Sequence, residues 1–360
     1  MIPWWTVDFS EQQALDLANT LREKNVSQGV VTAKLETTLK NIFSVEDCVC
    51  VSSGTSALIV SMIDAGVEAG KEVIVPNRTW IATAHAARLL GAKVVVCDTL
   101  NNAPSMNVEH LDRLINEKTA AVVPVYLNGR QVPQMEYLRE LTHKHSIALI
   151  EDAAQAIGSK DTNGKQLGTS GLYGCFSLSI AKLIGSGQGG FILTNDLKVS
   201  KRLRSIRTHG VESTKEPEIW EGLGGNFRYT DLAASLVFEQ IEKLEERITK
   251  CKDIYNMYLI GLSGCKEMQA IEVDINSGEV PVYVEYKVER RDEFQKYMNS
   301  VGIETRKFYP DIASALYLGK KNLDLPRSDY ERKGIYLPSG PDIKIQDVKR
   351  IIQKIVDFYK

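Results

Sequence analysis

From residue 47 to residue 152 the chain alternates short apolar runs with stretches of helical character. The runs are DCVCVS (47–52), EVIVP (72–76), KVVVC (93–97), AAVVPVY (120–126) and IALIED (147–152). Between them lie an amphipathic stretch beginning at Thr55, the segment TWIATAHAARLLG (79–91), a polar helix near 107–117 and a helix near 133–145. The runs lack the polar alternation of a half-exposed strand, so each is expected to be covered on both faces. Cys48 and Cys50, alternating with Val49 and Val51, read as one face of such a strand. Strand–helix repetition of this length requires right-handed crossovers, and so a mostly parallel sheet between layers of helices. The fold class is therefore α/β, and ligands of such sheets bind at the carboxyl ends of the strands.

After about residue 230 the texture changes. DLAASLVFEQIEKLEERITKCKDIYNMYL reads as one long helix with Leu236, Ile241, Leu244 and Ile248 as its apolar stripe. EVPVYVEYKV (279–288) alternates like a half-exposed strand, a helix follows near 291–301, and DVKRIIQKIVDFYK closes the chain as a helix. Three hundred and sixty residues exceed one ordinary core. The expected division is a large domain over 1–240, including an N-terminal helical segment 1–45, and a small α+β domain over 241–360. The segment 210–226, rich in Gly and charge, is the expected mobile one.

The formal net charge of -2 gives no footprint for nucleic acid or an anionic membrane. No apolar run approaches the roughly 18–20 residues that span a bilayer, and MIPWWTVDFSEQQ lacks the pattern of a signal peptide. The six cysteines contain no C-x-x-C pair, so no metal site is expected and a cytoplasmic location is.

Gly185, Gly187 and Gly190 spell G-x-G-x-x-G, a spacing that can cradle a dinucleotide pyrophosphate. That fingerprint must leave a strand and open a helix. Here GGFILTN follows, which reads as a strand, so the dinucleotide reading fails. Lys182 precedes the glycines, flanked by Ile180, Ala181, Leu183 and Ile184. A lysine is ordinarily a solvated surface residue. Among apolar neighbours it loses solvation, which favours the neutral, nucleophilic amine that a Schiff base needs.

Asp152 ends an apolar run, where a parallel sheet places its site. It reads either as a helix N-cap or as a carboxylate facing the pyridine nitrogen of pyridoxal phosphate. Gln155, three residues on, could reach the ring hydroxyl from the same helical face. In VSSGTSAL a strand ends and a helix begins, so the N–H groups of Gly54, Thr55 and Ser56 could bind an anion or simply be capped. Trp80 follows the next strand and reads as a core residue or as a platform for a flat ring.

SSGTSAL, PNRTWIATAHA, EDAAQAIG, GCFSLSIAK, GQGGF and GGNFRYTDLAASLVFEQIEKLEER, in this order, resemble the DegT/DnrJ/EryC1/StrS family of sugar aminotransferases. The resemblance runs from the MIP start to LPSGP at 337–341. It implies a pyridoxal phosphate-dependent transferase of fold type I, aspartate aminotransferase-like. Lys182 would carry the Schiff base, Asp152 would pair with the pyridine nitrogen and Gln155 would contact the ring oxygen. Gly54, Thr55 and Ser177 would bind the phosphate and Trp80 would lie over the ring. Asn226 would reach the phosphate of the neighbouring subunit, making a homodimer with shared sites. Arg228 and Tyr309 would lie toward the substrate.

Two positions depart from the commonest family pattern: Gln188 stands where many members have Glu, and Tyr126 where many have His. Both could touch the sugar. ETRKFYPDIASALY and YLPSG are most similar to perosamine-synthase-like members acting on 4-keto-6-deoxy sugars. The implied reaction passes an amino group from L-glutamate, through the pyridoxamine 5'-phosphate form of the cofactor, to C4 of a nucleotide-linked keto hexose. Freed Lys182 would serve as general base and acid. Alternatives are amination at C3, a pyridoxamine-dependent sugar 3-dehydratase, which carries His in place of the lysine, and a non-catalytic regulator with the same fold.

Overall fold

A computed structural model describes residues 1–101, 103–212, 219–220, 222–318, 325 and 329–360. Within the segment 210–226, expected to be mobile, residues 213–218 and 221 lie outside the described ones. The five apolar runs form β1 (Asp47–Val51), β2 (Glu72–Pro76), β3 (Lys93–Cys97), β4 (Thr119–Val122) and β5 (Ala148–Asp152). β6 (Tyr173–Ser177) and β7 (Gly190–Thr194) complete a seven-stranded sheet in the order β1-β7-β6-β5-β4-β2-β3. The pairs β2/β3, β2/β4, β4/β5 and β5/β6 are parallel. β7 runs antiparallel to both β6 and β1. It is thus the one reversed strand, and its start lies at the edge where the other six end.

Both faces of this sheet are covered. Val49, Val51, Val73 and Val75 pack with residues of the helices Gly54–Asp64, Ala82–Leu89 and Leu197–Arg207. Cys48, Cys50, Ile74 and Phe176 pack with the helices Val30–Phe43 and Met135–Lys144. Each fully buried Val or Leu stabilises the fold by about 1.5–3 kcal/mol, which is why the runs carry no polar alternation.

A second sheet is wholly antiparallel. β8 (Met268–Ala270), β9 (Val284–Val288), β10 (Arg306–Lys307) and β11 (Gly334–Leu337) lie in the order β10-β11-β9-β8. Phe294, Met298, Val348, Ile351 and Ile355 from the helices Arg291–Ser300 and Ile345–Tyr359 pack in its core. The chain's first residues also reach it. Ile2 bridges Ile303, Trp5 bridges Ser339, and Ile2 lies in the small sheet's core.

Two expectations for the C-terminal third need correction. The single long helix is three: Asp231–Ser235, Phe238–Glu242 and Leu244–Gly261. The carbonyl of Leu236, the C-cap of the first of them, accepts from Gln13 Nε2 at 2.6 Å and Gln240 Nε2 at 3.0 Å. The third helix serves both cores: Leu244, Ile248 and Cys251 pack with the large sheet, Ile254 and Tyr258 with the small one. The segment 279–288 is not a half-exposed strand either. Only 284–288 is strand, and both of its faces are covered. Its polar face is paired instead of solvated: Glu285 accepts from Asn128 Nδ2 at 2.9 Å and meets Arg130 at 2.7 Å. A period-two pattern tells which residues share a face, and it is silent about whether water or a buried partner satisfies the polar one.

Candidate active site

The carboxyl ends of β1, β2, β5 and β6 converge on a cavity of about 210 Å³. Gly54, Thr55, Trp80, Asp152, Gln155, Ser177, Lys182 and Gln188 line it together. These residues span more than a hundred positions of sequence, and the sheet's parallel order is what gathers them.

Lys182 sits between β6 and β7 on a loop with no regular structure beyond turns. Other elements fix that loop. Its carbonyls at Ile180, Ala181, Leu183 and Gly185 accept from Trp5 Nε1 (3.0 Å), Tyr283 Oη (2.6 Å), Arg247 Nη1 (2.9 Å) and Gln240 Nε2 (2.8 Å). Leu183 and Ile184 are buried, as the sequence implied, whereas Ile180 is 45% exposed. Lys182 itself is half-buried. Burial pulls its amine down to about 8, against the opposing pull of Asp152. A lysine held there has a much larger neutral, nucleophilic fraction near neutral pH than an ordinary one.

Asp152 ends β5 and is 6% exposed. Its Oδ2 accepts from Thr83 Oγ1 at 2.8 Å and its Oδ1 from the Ala154 N–H at 3.2 Å. Thr83 is in turn paired with Thr79 Oγ1 at 2.8 Å. Burial pushes the carboxyl up, while Thr83, Ala154 and Lys182 pull the other way. A buried carboxylate without an arginine or lysine in ion-pair contact among the described residues suits a cationic ligand atom. Gln155 follows on a turn, not on the helical face expected for it. Its Oε1 accepts from the Asn128 N–H at 2.7 Å, so its amide is oriented before any ligand arrives.

β1 ends at Val51, and the helix Gly54–Asp64 opens three residues later with Ser53 as N-cap. Ser53 Oγ takes the Ser56 N–H at 3.0 Å. The expected three-donor anion site is therefore smaller. Gly54 and Thr55 keep N–H groups with no acceptor among the described residues, at the positive end of a helix. A Cβ on Gly54 would lie 2.9 Å from the Ser177 Cβ, so only glycine lets this turn approach the end of β6. Trp80 is 56% exposed and lines the cavity, so it is not a core residue. A broad aromatic face left open at a cavity is suited to cover a flat ring.

Other expected residues stand elsewhere. Tyr126 is buried, and its hydroxyl donates to Glu151, which faces away from Asp152 on the same strand. Asn226 is exposed, bridges Thr208 and accepts from Arg228 Nε at 3.0 Å; neither Asn226 nor Arg228 lines the cavity of this subunit. Tyr309 is one layer out, its ring edge-on to Trp80 at 5.4 Å and facing the Arg78 guanidinium at 4.3 Å. Residue-level reading missed Thr83, Tyr283 and the buried Arg78–Asp311 pair at 3.3 Å. Thr83 had a usable signal, since it follows Thr79 by one helical turn in TWIAT. Tyr283 had none, because its partners lie about a hundred residues away.

A mostly parallel sheet with one reversed strand, and a half-buried lysine on the loop before that strand, define the fold type I class of pyridoxal phosphate enzymes. Residues 8–356 match the DegT/DnrJ/EryC1/StrS aminotransferase family, and the chain belongs to that family. It is 32% identical over 343 residues to the GDP-perosamine synthase of Vibrio cholerae, covering 92% of each chain. It is 30% identical over 358 residues to the pleiotropic regulatory protein of Geobacillus stearothermophilus, covering 96% of this chain and 93% of that one. The crystal structure of S. venezuelae DesV in complex with a ketimine intermediate matches it with a TM-score of 0.89 at 26% identity, over 97% of this chain and 94% of that one. The protein is a pyridoxal 5'-phosphate-dependent aminotransferase. The site fits that cofactor: the Gly54 cradle and free N–H groups suit a phosphate, Asp152 a protonated ring nitrogen, and Lys182 an aldehyde carbon.

Proposed function

We propose that this aminotransferase moves the amino group of L-glutamate to C4 of a nucleotide-linked 4-keto-6-deoxy hexose. The observation that carries the reading is the Lys182 amine, lowered to about 8 and sharing one cavity with Asp152 and the Gly54 turn. The cofactor, when bound, supplies an electron sink for negative charge at the carbon that gains or loses the amine. Gly54, Thr55 and Ser177 hold its phosphate, Asp152 keeps its ring nitrogen protonated, Gln155 orients the ring oxygen and Trp80 covers the ring. Lys182 Nζ takes the proton from the donor's carbon and returns one to the sugar carbon. Its amine suits both tasks because its pKa lies near the working pH.

The same reading gives Gln188 and Tyr309 to the sugar side of the cavity. Asn226 and Arg228 then act across a homodimer interface, on the neighbouring subunit's site. No helix among the described residues is long and apolar enough to cross a membrane. A cytoplasmic place of action, where L-glutamate and nucleotide sugars are available, belongs to the same proposal. One relative is named as a regulatory protein. A filled set of Lys182, Asp152 and Gly54 favours catalysis over a purely regulatory role, and Lys182 itself disfavours the dehydratase.

The test has two parts. The purified protein should show a visible band that borohydride abolishes, with the reduced cofactor fixed on Lys182 by peptide mass spectrometry. GDP-, UDP- and dTDP-linked 4-keto and 3-keto sugars, each with L-glutamate, are then screened for amino-sugar product. Amination of a 4-keto substrate supports the reading. Turnover of 3-keto sugars alone moves the amine to C3, and loss of water without amine transfer replaces the reading with the dehydratase.

A further inference from the structure

Tyr283, at the entry to β9, is the only described side chain whose polar atom lies within hydrogen-bond reach of Lys182 Nζ, at 3.5 Å. Its hydroxyl proton is already committed, donated to the carbonyl of Ala181 at 2.6 Å. The oxygen therefore faces the lysine as an acceptor. Little about Tyr283 is free to move. Trp4 stacks on its ring at 5.6 Å and Trp5 meets it edge-on at 5.3 Å. Its main chain is clasped on both sides by one side chain: the Tyr283 N–H donates to Asn128 Oδ1 at 2.6 Å, and Asn128 Nδ2 donates to the Tyr283 carbonyl at 2.9 Å.

Asn128 is fully buried and holds a left-handed backbone with φ 55. Few residues adopt that conformation readily, and Asn is one of them. Its own N–H donates to Gln155 Oε1, so one residue fixes both the glutamine that lines the cavity and the tyrosine that faces the lysine. Asn128 Nδ2 also reaches Glu285, whose carboxylate is held by Arg130. A continuous chain of hydrogen bonds thus runs from Gln155, on the turn after β5, through Asn128, to the residue before β9 that meets the lysine.

We propose that Tyr283 is a positioning residue for Lys182: its oxygen is the resting place of the lysine amine whenever that amine is not bonded to cofactor, and Asn128 sets the distance. The inference rests on the reading of Lys182 as the cofactor-bearing amine. An acceptor at this point turns one N–H of the amine away from the cavity and leaves the lone pair, or a transferable proton, on the cavity side. It also favours the ammonium form over the neutral amine, partly offsetting the effect of burial. The two tryptophans near the start of the chain pack the tyrosine ring, and Trp5 Nε1 separately caps the Ile180 carbonyl.

The test uses the cofactor-free full chain and measures the reactivity of Lys182 toward acetic anhydride from pH 6 to pH 10, read by peptide mass spectrometry. The wild-type midpoint is expected near 8. In Tyr283→Phe, which keeps the ring packing and loses only the hydroxyl, the midpoint should fall by about half a pH unit. The rate of cofactor reloading at pH 7 should change with it, and the melting temperature should fall only by the few degrees that loss of the hydrogen bond to the Ala181 carbonyl costs. Asn128→Gly, which tolerates the left-handed backbone, should move the midpoint in the same direction by freeing Tyr283. Trp5→Phe keeps an aromatic ring against Tyr283 and removes only the Ile180 cap, so it should leave the midpoint in place. An unchanged midpoint in Tyr283→Phe overturns the proposal, and so does an equal shift in Trp5→Phe, which would assign the effect to loop loosening. Asn128→Gly with a wild-type midpoint removes Asn128 from the device. If borohydride fixes no cofactor on Lys182, the functional reading fails, and the acetylation profile still decides the role of Tyr283.

Discussion

Two glycine-bearing turns meet at the same edge of the large sheet, and they do opposite things. The turn at Ser52–Ser56 leaves β1 and opens a helix, so the N–H groups of Gly54 and Thr55 remain free to meet an anion. The turn at Gly185–Gly190 has the more conspicuous spacing, yet it enters β7, so no helix begins there to gather its N–H groups. Gly189 and Gly187 carbonyls accept from Leu178 and Ile180 N–H groups, Ser186 N–H donates back to Leu178, and Gly185 N–H donates to Gln240. The element that follows a glycine turn, and not the glycine spacing, decides whether its backbone donors are gathered at a helix N-terminus, where an anion can meet them. The second turn still serves the first. A Cβ on Gly190 would lie 2.6 Å from the Ser53 backbone, so glycine there lets the reversed strand pass against the Ser52–Ser56 turn.

The contrast can be tested most severely at the lysine that precedes the second turn. Lys182→Ala should lose the visible cofactor band and at least about 10³-fold in the rate of amine transfer, measured in single-turnover reactions. Retained turnover would detach the lysine from the chemistry. Asp152→Asn keeps the hydrogen bond from Thr83 and loses the charge. Its single-turnover rate should fall by about 10²–10³-fold, with the cofactor still bound and its spectrum altered.

Gly54→Ala sets the first turn against Ser177. Overpacking of this kind costs about 1–3 kcal/mol, and here it should appear as weaker cofactor binding in an absorbance titration. A pH effect follows from Lys182 itself. Its folded value near 8 lies below the ordinary 10.5, so the unfolded chain holds the proton between those values and the folded one does not. Stability from this group is therefore lowest below pH 8 and recovers as pH rises toward 10.5. Cofactor-free Lys182→Met should melt above wild type at pH 7, with the gap closing by pH 10. The smallest effect is expected at Gly187, where φ is +88 and a Cβ would meet open space. Gly187→Ala should cost about 1 kcal/mol of stability and leave cofactor affinity unchanged. Equal weakening of cofactor binding in Gly187→Ala and Gly54→Ala would erase the distinction between the turns.

Much of this architecture was legible beforehand, for local reasons. Apolar runs covered on both faces need no knowledge of their partners to be recognised as strands of a parallel sheet. Asp152 ends such a run, and a parallel sheet brings run ends to one edge. The helix written through 231–259 failed because its apolar stripe is intact across the breaks. At the first break the Leu236 carbonyl accepts from Gln13 and Gln240, the first of them more than two hundred residues away. The alternation at 279–288 misled for a related reason: Glu285 satisfies its charge with Arg130 and Asn128 instead of water.

The amino-acid sequence by itself determined the α/β class, the edge of the sheet where the site lies, and the rejection of the dinucleotide reading. Each follows from periodicity and from which element succeeds which, and these are properties of neighbouring residues. Only the tertiary structure decided that Thr83 holds Asp152, that Tyr126 turns to Glu151, and that Trp5 and Tyr283 fasten the lysine loop. Those contacts join residues 69, 25, 175 and 102 positions apart. A hydrogen bond needs its partners placed to a few tenths of an ångström. Local pattern places a residue on a face, and only the packing of helices and loops against the two sheets sets that distance.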